Sequence, residues 1–264
     1  MPESTNRVAL VTGGARRIGR EISLALARDG WDVAVHYATS RDDALDTVAQ
    51  IKALGRRAIA VNRDLAVEPG VLSLLPECAN ELAPVSCVVN NASLFEYDNV
   101  ARFSGDHLMR AMRTNAAAPV LLARSLHRHL ADDERGVVIN LLDQKLVNPN
   151  PDFLSYTLSK AALNEATTLL AIALAPKVRV VGIAPGITLA SNLQSQENFA
   201  SAHQATPLGR SSTAADIAQA AVFLANAVAI TGTVLLVDGG QHLVPSSRDV
   251  MFTTEPSVLA EGSK

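Results

Sequence analysis

The sequence predicts an α/β fold: a seven-stranded parallel sheet, doubly wound, with helices on both faces. Three observations predict it. Short apolar runs alternate with helical periods along the chain, with no break in composition. The first run leads directly into a glycine turn, TGGARRIG at 12–19. The chain has 264 residues, 48% of them hydrophobic, with no linker-like stretch and no short-period repeat. Residues 1–264 therefore read as a single domain.

The elements follow in order. Arg7–Thr12 is a buried strand, broken by Gly13-Gly14, and 18–29 is helical by period. Trp31–His36 is the second strand. Arg41–Leu54 is an amphipathic helix closed by Gly55. Arg57–Val61 is the third strand, and 66–82 a helix with Pro69 in its first turn, where proline is tolerated. Ser86–Val89 is the fourth strand. Asp106–Leu130 makes one or two helices. Gly136–Leu141 is the fifth strand and Ser155–Leu174 its helix. Lys177–Ile183, a helix at 213–226 and Thr233–Val237 complete the sheet. Two segments lack a period: 187–206, rich in Ser, Asn and Gln and read as a functional lid, and the tail 245–264.

Composition narrows the function. A formal net charge of −3 gives no sign of nucleic-acid binding. Cys78 and Cys87 have no histidine placed to complete a metal set, so they read as reduced structural thiols. The start has no apolar signal core, and no run is long enough to span a membrane. The expectation is a cytoplasmic protein with no metal, no membrane partner and no nucleic-acid partner.

Two places carry chemistry. Tyr156-x-x-x-Lys160 lies in a helical pattern, so both side chains share a face. An ammonium beneath a phenol would lower its pKa from about 10 and make it a proton donor near neutral pH. Asp143, thirteen residues before Tyr156, falls at the C-terminal tip of a strand, the edge where open α/β sheets bind ligands. As an alternative, Asp143 is a turn or cap aspartate. At the other place, TGGARRIG joins a strand to a helix whose first amides would attract a pyrophosphate. Gly13 permits the turn and Gly19 close packing. No carboxylate follows the second strand before Asp42, whereas Arg16, Arg17, Ser40 and Arg41 are at hand, which favours NADP over NAD.

These residues, with Asp64-Leu65, Asn90-Asn91-Ala92, Asn115, Pro185-Gly186 and Asp238-Gly239-Gly240, resemble the short-chain dehydrogenase/reductases over 7–242. The resemblance is closest to the pteridine reductases and FolM-type dihydromonapterin or dihydrofolate reductases. Arg17 replaces the central glycine, HY stands at 36–37, NNAS at 90–93 precedes Phe95, and Asp143 stands where most members carry serine. Thr39 departs from the basic residue often found there.

The resemblance implies a Rossmann-type fold, NADPH as cofactor and a homotetramer. It implies Asp143, Tyr156, Lys160 and Asn115 as catalytic residues, with Asn115 bending its helix and holding a water beside Lys160. The cofactor would meet Gly13, Arg16, Arg17, Ile18, Gly19, His36, Tyr37, Ser40, Asp64, Leu65, Asn91, Ala92, Ser93, Tyr156, Lys160, Pro185, Gly186 and Thr188. A pterin or folate would meet Arg17, Ser93, Phe95, Asp143, Phe153 and Tyr156, with Phe95 as the stacking surface. Two rival readings are a general carbonyl reductase, such as a 3-oxoacyl reductase, and a non-catalytic NADP-binding sensor. The tail is expected to cross a subunit interface.

Overall fold

The structure, a computed structural model, describes residues 7–190 and 196–252. The chain runs β1 (Val8–Val11), α1 (Arg17–Arg28), β2 (Asp32–Tyr37), α2 (Arg41–Ala53), β3 (Ala58–Asn62), α3 (Glu68–Glu81) and β4 (Cys87–Asn90). It continues through α4 (Gly105–Met112), α5 (Ala118–His129), β5 (Gly136–Leu141), α6 (Leu154–Leu174), β6 (Val178–Pro185), α7 (Gln196–Gln204), α8 (Ala214–Asn226) and β7 (Val234–Val237). The seven strands form one parallel sheet in the order β3-β2-β1-β4-β5-β6-β7. The order reverses beside β1. A crevice therefore opens between β1 and β4 at the C-terminal ends of the strands.

Strand alternation explains why the strands read as continuous apolar runs. Ala9 and Val11 face one layer with Ile22, Leu26, Val48, Ile51, Ile217 and Leu224. Val8 and Leu10 face the other with Leu74, Leu75, Leu122 and Leu126. Both faces are thus buried. Each large apolar side chain placed there contributes roughly 1.5–3 kcal/mol.

Every expected strand is present, with ends shifted by one or two residues. The 106–130 stretch, expected as one or two helices, forms two. A π-helical turn at Arg113–Ala117 separates α4 from α5, and Pro119 opens α5. In the segment 187–206, expected to be irregular, α7 occupies Gln196–Gln204; its sequence QENFASAHQ has too few apolar residues to mark a face. Residues 191–195 of that segment and 253–264 of the tail lie outside the described residues. The described part of the tail packs on its own chain: Arg248 grips Asp152 with bonds of 2.8 and 2.9 Å.

Candidate active site

The turn after β1 brings α1 against the sheet. Gly13 has φ +61, which favours glycine. A Cβ on Gly19 would lie 2.1 Å from the Gly13 carbonyl oxygen, so only glycine lets the helix sit this close. Arg17 adopts φ +52, a left-handed conformation where related turns carry glycine. Its guanidinium reaches across to the Ala190 carbonyl at 3.0 Å. The first-turn amides of α1 have no intrahelical acceptor, and Arg16 at the N-cap offers no side-chain bond.

Two residues expected at the cofactor, His36 and Asn91, brace this turn with their side chains. His36 Nδ1 accepts the Gly13 N–H at 3.1 Å, which places the ring proton on Nε2, 3.0 Å from the Arg63 carbonyl. Burial lowers the His36 pKa, and the ring is neutral. Asn91 Nδ2 donates to the Thr12 and Gly13 carbonyls at 2.9 and 3.1 Å. Thr12 Oγ1 accepts the Asn91 and Ala92 amides at 3.0 and 3.1 Å. Thr188 donates to the Gly186 carbonyl at 2.9 Å and meets Ser212 Oγ at 2.7 Å. The polar side-chain atoms of His36 and Asn91 thus serve the buried backbone groups of the glycine turn, and that of Thr188 serves the end of β6.

The remaining positions expected at the cofactor follow the C-terminal ends of β1, β2, β3 and β6. Arg16 is exposed, 3.7 Å from Asp43 Oδ2, and Arg41 opens α2 beside Ser40, which makes no cap bond. Ile18 and Tyr37 are half-buried. Asp64 Oδ1 accepts the Ala66 amide at 2.8 Å and Leu65 is buried beneath it. Pro185 ends β6, and a Cβ on Gly186 would lie 2.7 Å from Asp238 and Ser211.

Asp143 follows β5 and begins a tight 3-10 turn, Gln144–Leu146. Its Oδ1 accepts the Lys145 amide at 2.9 Å, and its Oδ2 accepts the Tyr156 hydroxyl at 2.8 Å. The carboxyl thus fills both roles that the sequence left open, capping the turn and meeting the phenol. Burial pushes its pKa above the ordinary carboxylate range, against the pull of those two bonds.

Lys160 departs from expectation. It is 2% exposed, donates to the Leu141 carbonyl at 2.6 Å and lies 5.7 Å from the Tyr156 ring centre. Burial lowers its pKa to about 8. The phenol is not lowered: burial pushes Tyr156 well above 10, and the Asp143 carboxylate adds to that. The ammonium is bonded to a backbone carbonyl rather than to the phenol oxygen, and the negative neighbour prevails.

Asn115 lies in the π-helical turn, where the widened helix lets its side chain point inward. It donates to Leu94 O and Ser159 Oγ, both at 2.9 Å, and accepts the Leu94 amide at 2.7 Å. Ser159 in turn donates to Tyr156 O at 2.6 Å. The loop after β4 is thereby tied to α6. Ser93 Oγ is 3.4 Å from Asn115 Oδ1.

That loop carries Phe95, 45% exposed. Its ring stacks on Phe153 at 4.3 Å and meets the Tyr156 ring edge-on at 4.7 Å. Phe153, expected as a pocket wall, is 1% exposed and forms the backing of Phe95. Sequence reasoning missed Asp98, whose buried carboxylate accepts the Ser155 amide at 3.0 Å and so caps α6 from a distance. It also missed Lys145 and Asp249, 3.4 Å apart. No local pattern marks any of these, because their partners are remote in sequence.

A doubly wound sheet, a glycine turn opening α1 and a tyrosine–lysine pair at the strand tips define the class, an oxidoreductase. The chain belongs to the short-chain dehydrogenase family, whose profile, described as short chain dehydrogenase, matches residues 7–200. Among solved structures it is similar to FolM alternative dihydrofolate reductase 1 from Brucella suis in complex with NADP. That match has 39% identity and a TM-score of 0.88, and covers 91% of this chain and 97% of that one. The Brucella canis FolM alternative dihydrofolate reductase 1, also with NADP, has 38% identity, 90% and 95% coverage and a TM-score of 0.85. A 3-oxoacyl-[acyl-carrier-protein] reductase FabG of Staphylococcus epidermidis is 31% identical over 243 residues, 90% of this chain and 100% of that protein.

Proposed function

We propose that the chain is an NADPH-dependent pterin reductase, taking a dihydropteridine such as dihydromonapterin, or dihydrofolate, to the tetrahydro form. The observation that carries this reading is the 2.8 Å bond from the Tyr156 hydroxyl to the Asp143 carboxyl. A carboxyl can accept the N–H donors of an aminated ring or share a proton with it, whereas a hydroxyl at that position suits a carbonyl oxygen. The similarity to two NADP-bound FolM proteins supports the same reading.

The residues fit NADPH. Glycine at 13 and 19 leaves the α1 amides open to a pyrophosphate, since a Cβ on either would press on the turn. Arg16, Ser40 and Arg41 stand where a 2′-phosphate would lie, with no carboxylate before Asp42. Asp64 and Leu65 flank the adenine position, the backbone of Asn91 and Ala92 the riboses, and Pro185 and Gly186 the nicotinamide. When bound, the cofactor supplies a hydride to the carbon of a ring C=N bond.

The protein's part is binding and proton handling. Phe95, exposed over nearly half its surface, is the aromatic ring on which a flat heterocycle would stack. Ser93 and Arg17 would offer the same ligand a hydroxyl and a cation. Tyr156 keeps its proton at neutral pH and gives it to the ring nitrogen. Asp143 orients the phenol and restores its proton. Lys160 holds the Leu141 carbonyl and supplies positive charge beneath the developing phenolate. A homotetramer and a cytoplasmic location belong to the same reading. The exposed Leu169 and Ile172 on α6 and the two free, buried thiols support them.

NADPH oxidation measured in parallel with dihydromonapterin, dihydrofolate and a β-keto thioester tests the proposal. Turnover of a pterin or folate and not the thioester is expected. Turnover of the thioester alone would replace this reading with a carbonyl reductase.

A further inference from the structure

We propose that Asp249 is a positioning residue for proton transfer: by partnering the buried Lys145 ammonium, it leaves Asp143 free to hold a proton beside Tyr156. The inference rests on the role given above to the Asp143–Tyr156 pair.

Lys145 is 4% exposed. Its backbone amide is bonded to Asp143, and its ammonium is bonded elsewhere. It donates to the Asp152 carbonyl at 2.5 Å, lies 3.4 Å from Asp249 Oδ2 and sits 5.4 Å from the centre of the Phe153 ring. Asp249 is held firmly for this purpose. Its amide donates to Asp152 Oδ2 at 2.8 Å, and its Oδ1 accepts the Met251 amide at 3.2 Å. On one side Arg248 clamps Asp152; on the other Phe252 meets Tyr97 edge-on at 5.4 Å. The 248–252 segment is therefore seated on the step that carries Phe153, directly behind Phe95.

A buried ammonium without a counter-charge is costly. Were Asp249 neutral, the carboxyls left to balance Lys145 are those of Asp152, which Arg248 already holds, and Asp143, two residues away. Pairing with it would hold Asp143 ionised. Asp249 prevents this in two ways: it occupies the ammonium, and its own charge disfavours a second carboxylate nearby. The charged and titratable groups facing Asp143 are Tyr156 and Lys160 from α6, Lys145 from the 3-10 turn and Asp249 from the C-terminal segment.

The sign is testable with two variants that should move in opposite directions. Infrared difference spectra of the free protein, wild type minus Asp143→Asn, follow the Asp143 carboxyl through its titration. Asp249→Asn keeps the acceptor for the Met251 amide, and its midpoint should fall by about one pH unit. Lys145→Met, which leaves Asp249 as a bare negative neighbour, should raise the midpoint. The alkaline limb of kcat/KM should follow the midpoint in each variant, with KM for NADPH unchanged. Midpoints that stay fixed, or move the same way in both, overturn the inference. If wild type reduces no pterin but the midpoints move as stated, the proposed function fails and this electrostatic device stands. If wild type is active and the midpoints do not move, the device fails alone.

Discussion

Tyr156 is buried beside a carboxyl, and its burial and that neighbour keep its proton in place. The phenol is therefore a donor that has to be made to let go, and the positive charge of Lys160 becomes important only as phenolate forms. Tyr156→Phe should lower kcat by roughly 10²–10⁴ while the dissociation constant for NADPH, read by nucleotide fluorescence, stays unchanged. An equal absence of turnover in both proteins would indicate a nucleotide-binding sensor instead. Phe95→Ala removes a stacking face worth about 1 kcal/mol, so KM for the pterin should rise roughly fivefold with kcat little changed. The Asp143–Tyr156 pairing was legible in sequence because a strand tip and the helix that follows it must come together. The Lys145–Asp249 pair was not, because its members are 104 positions apart and neither stands in a pattern. The direction of the Tyr156 shift was misread for a related reason. A spacing of four places a lysine on the same helix face, but it cannot show that the ammonium bonds to Leu141 instead.

At the scale of the element, the glycine turn and α1 act as one piece. Gly19→Ala would normally favour a helix by up to about 1 kcal/mol. Here the added carbon would strike the Gly13 carbonyl, with Asn91 Nδ2 next nearest. The expected outcome is the opposite sign: a loss of about 1–3 kcal/mol in denaturant unfolding, together with weakened NADPH binding. A stabilised variant with full binding would contradict the packing described. The strands were readable because both their faces are apolar, and the turn because its glycines fall between two clear periods. The π-helical turn was only half-readable. Asn115 signalled a poor helix interior, but the extra residue per turn arises from bonds to Leu94 and Ser159, which no local sequence announces. Helix α7 escaped notice since its few apolar positions mark no face.

Across the whole molecule, buried ionisable groups set how stability depends on pH. Lys160 has a folded-state pKa of about 8 against an ordinary 10.5. Below pH 8 it is charged in both folded and unfolded chains, and its burial opposes folding. As pH rises from about 8 towards 10.5 the folded form sheds the proton first, and that opposition fades. Wild type should therefore gain on Lys160→Met by on the order of 3 kcal/mol across that window, read as the difference in Tm between the two proteins from pH 7 to 10. Comparison with the variant is needed because Cys78 and Cys87, both pushed up to about 12 by burial, pull the other way above pH 9.

The left-handed Arg17 has a consequence for robustness. A side chain there costs roughly 1–2 kcal/mol, which a glycine would recover, less what the looser unfolded chain takes back. Arg17→Gly should thus melt no lower than the parent, and the bond to Ala190 would be gone. A variant library screened only for heat tolerance would drift towards glycine at this position and return sturdy proteins in which α1 is no longer tied to Ala190.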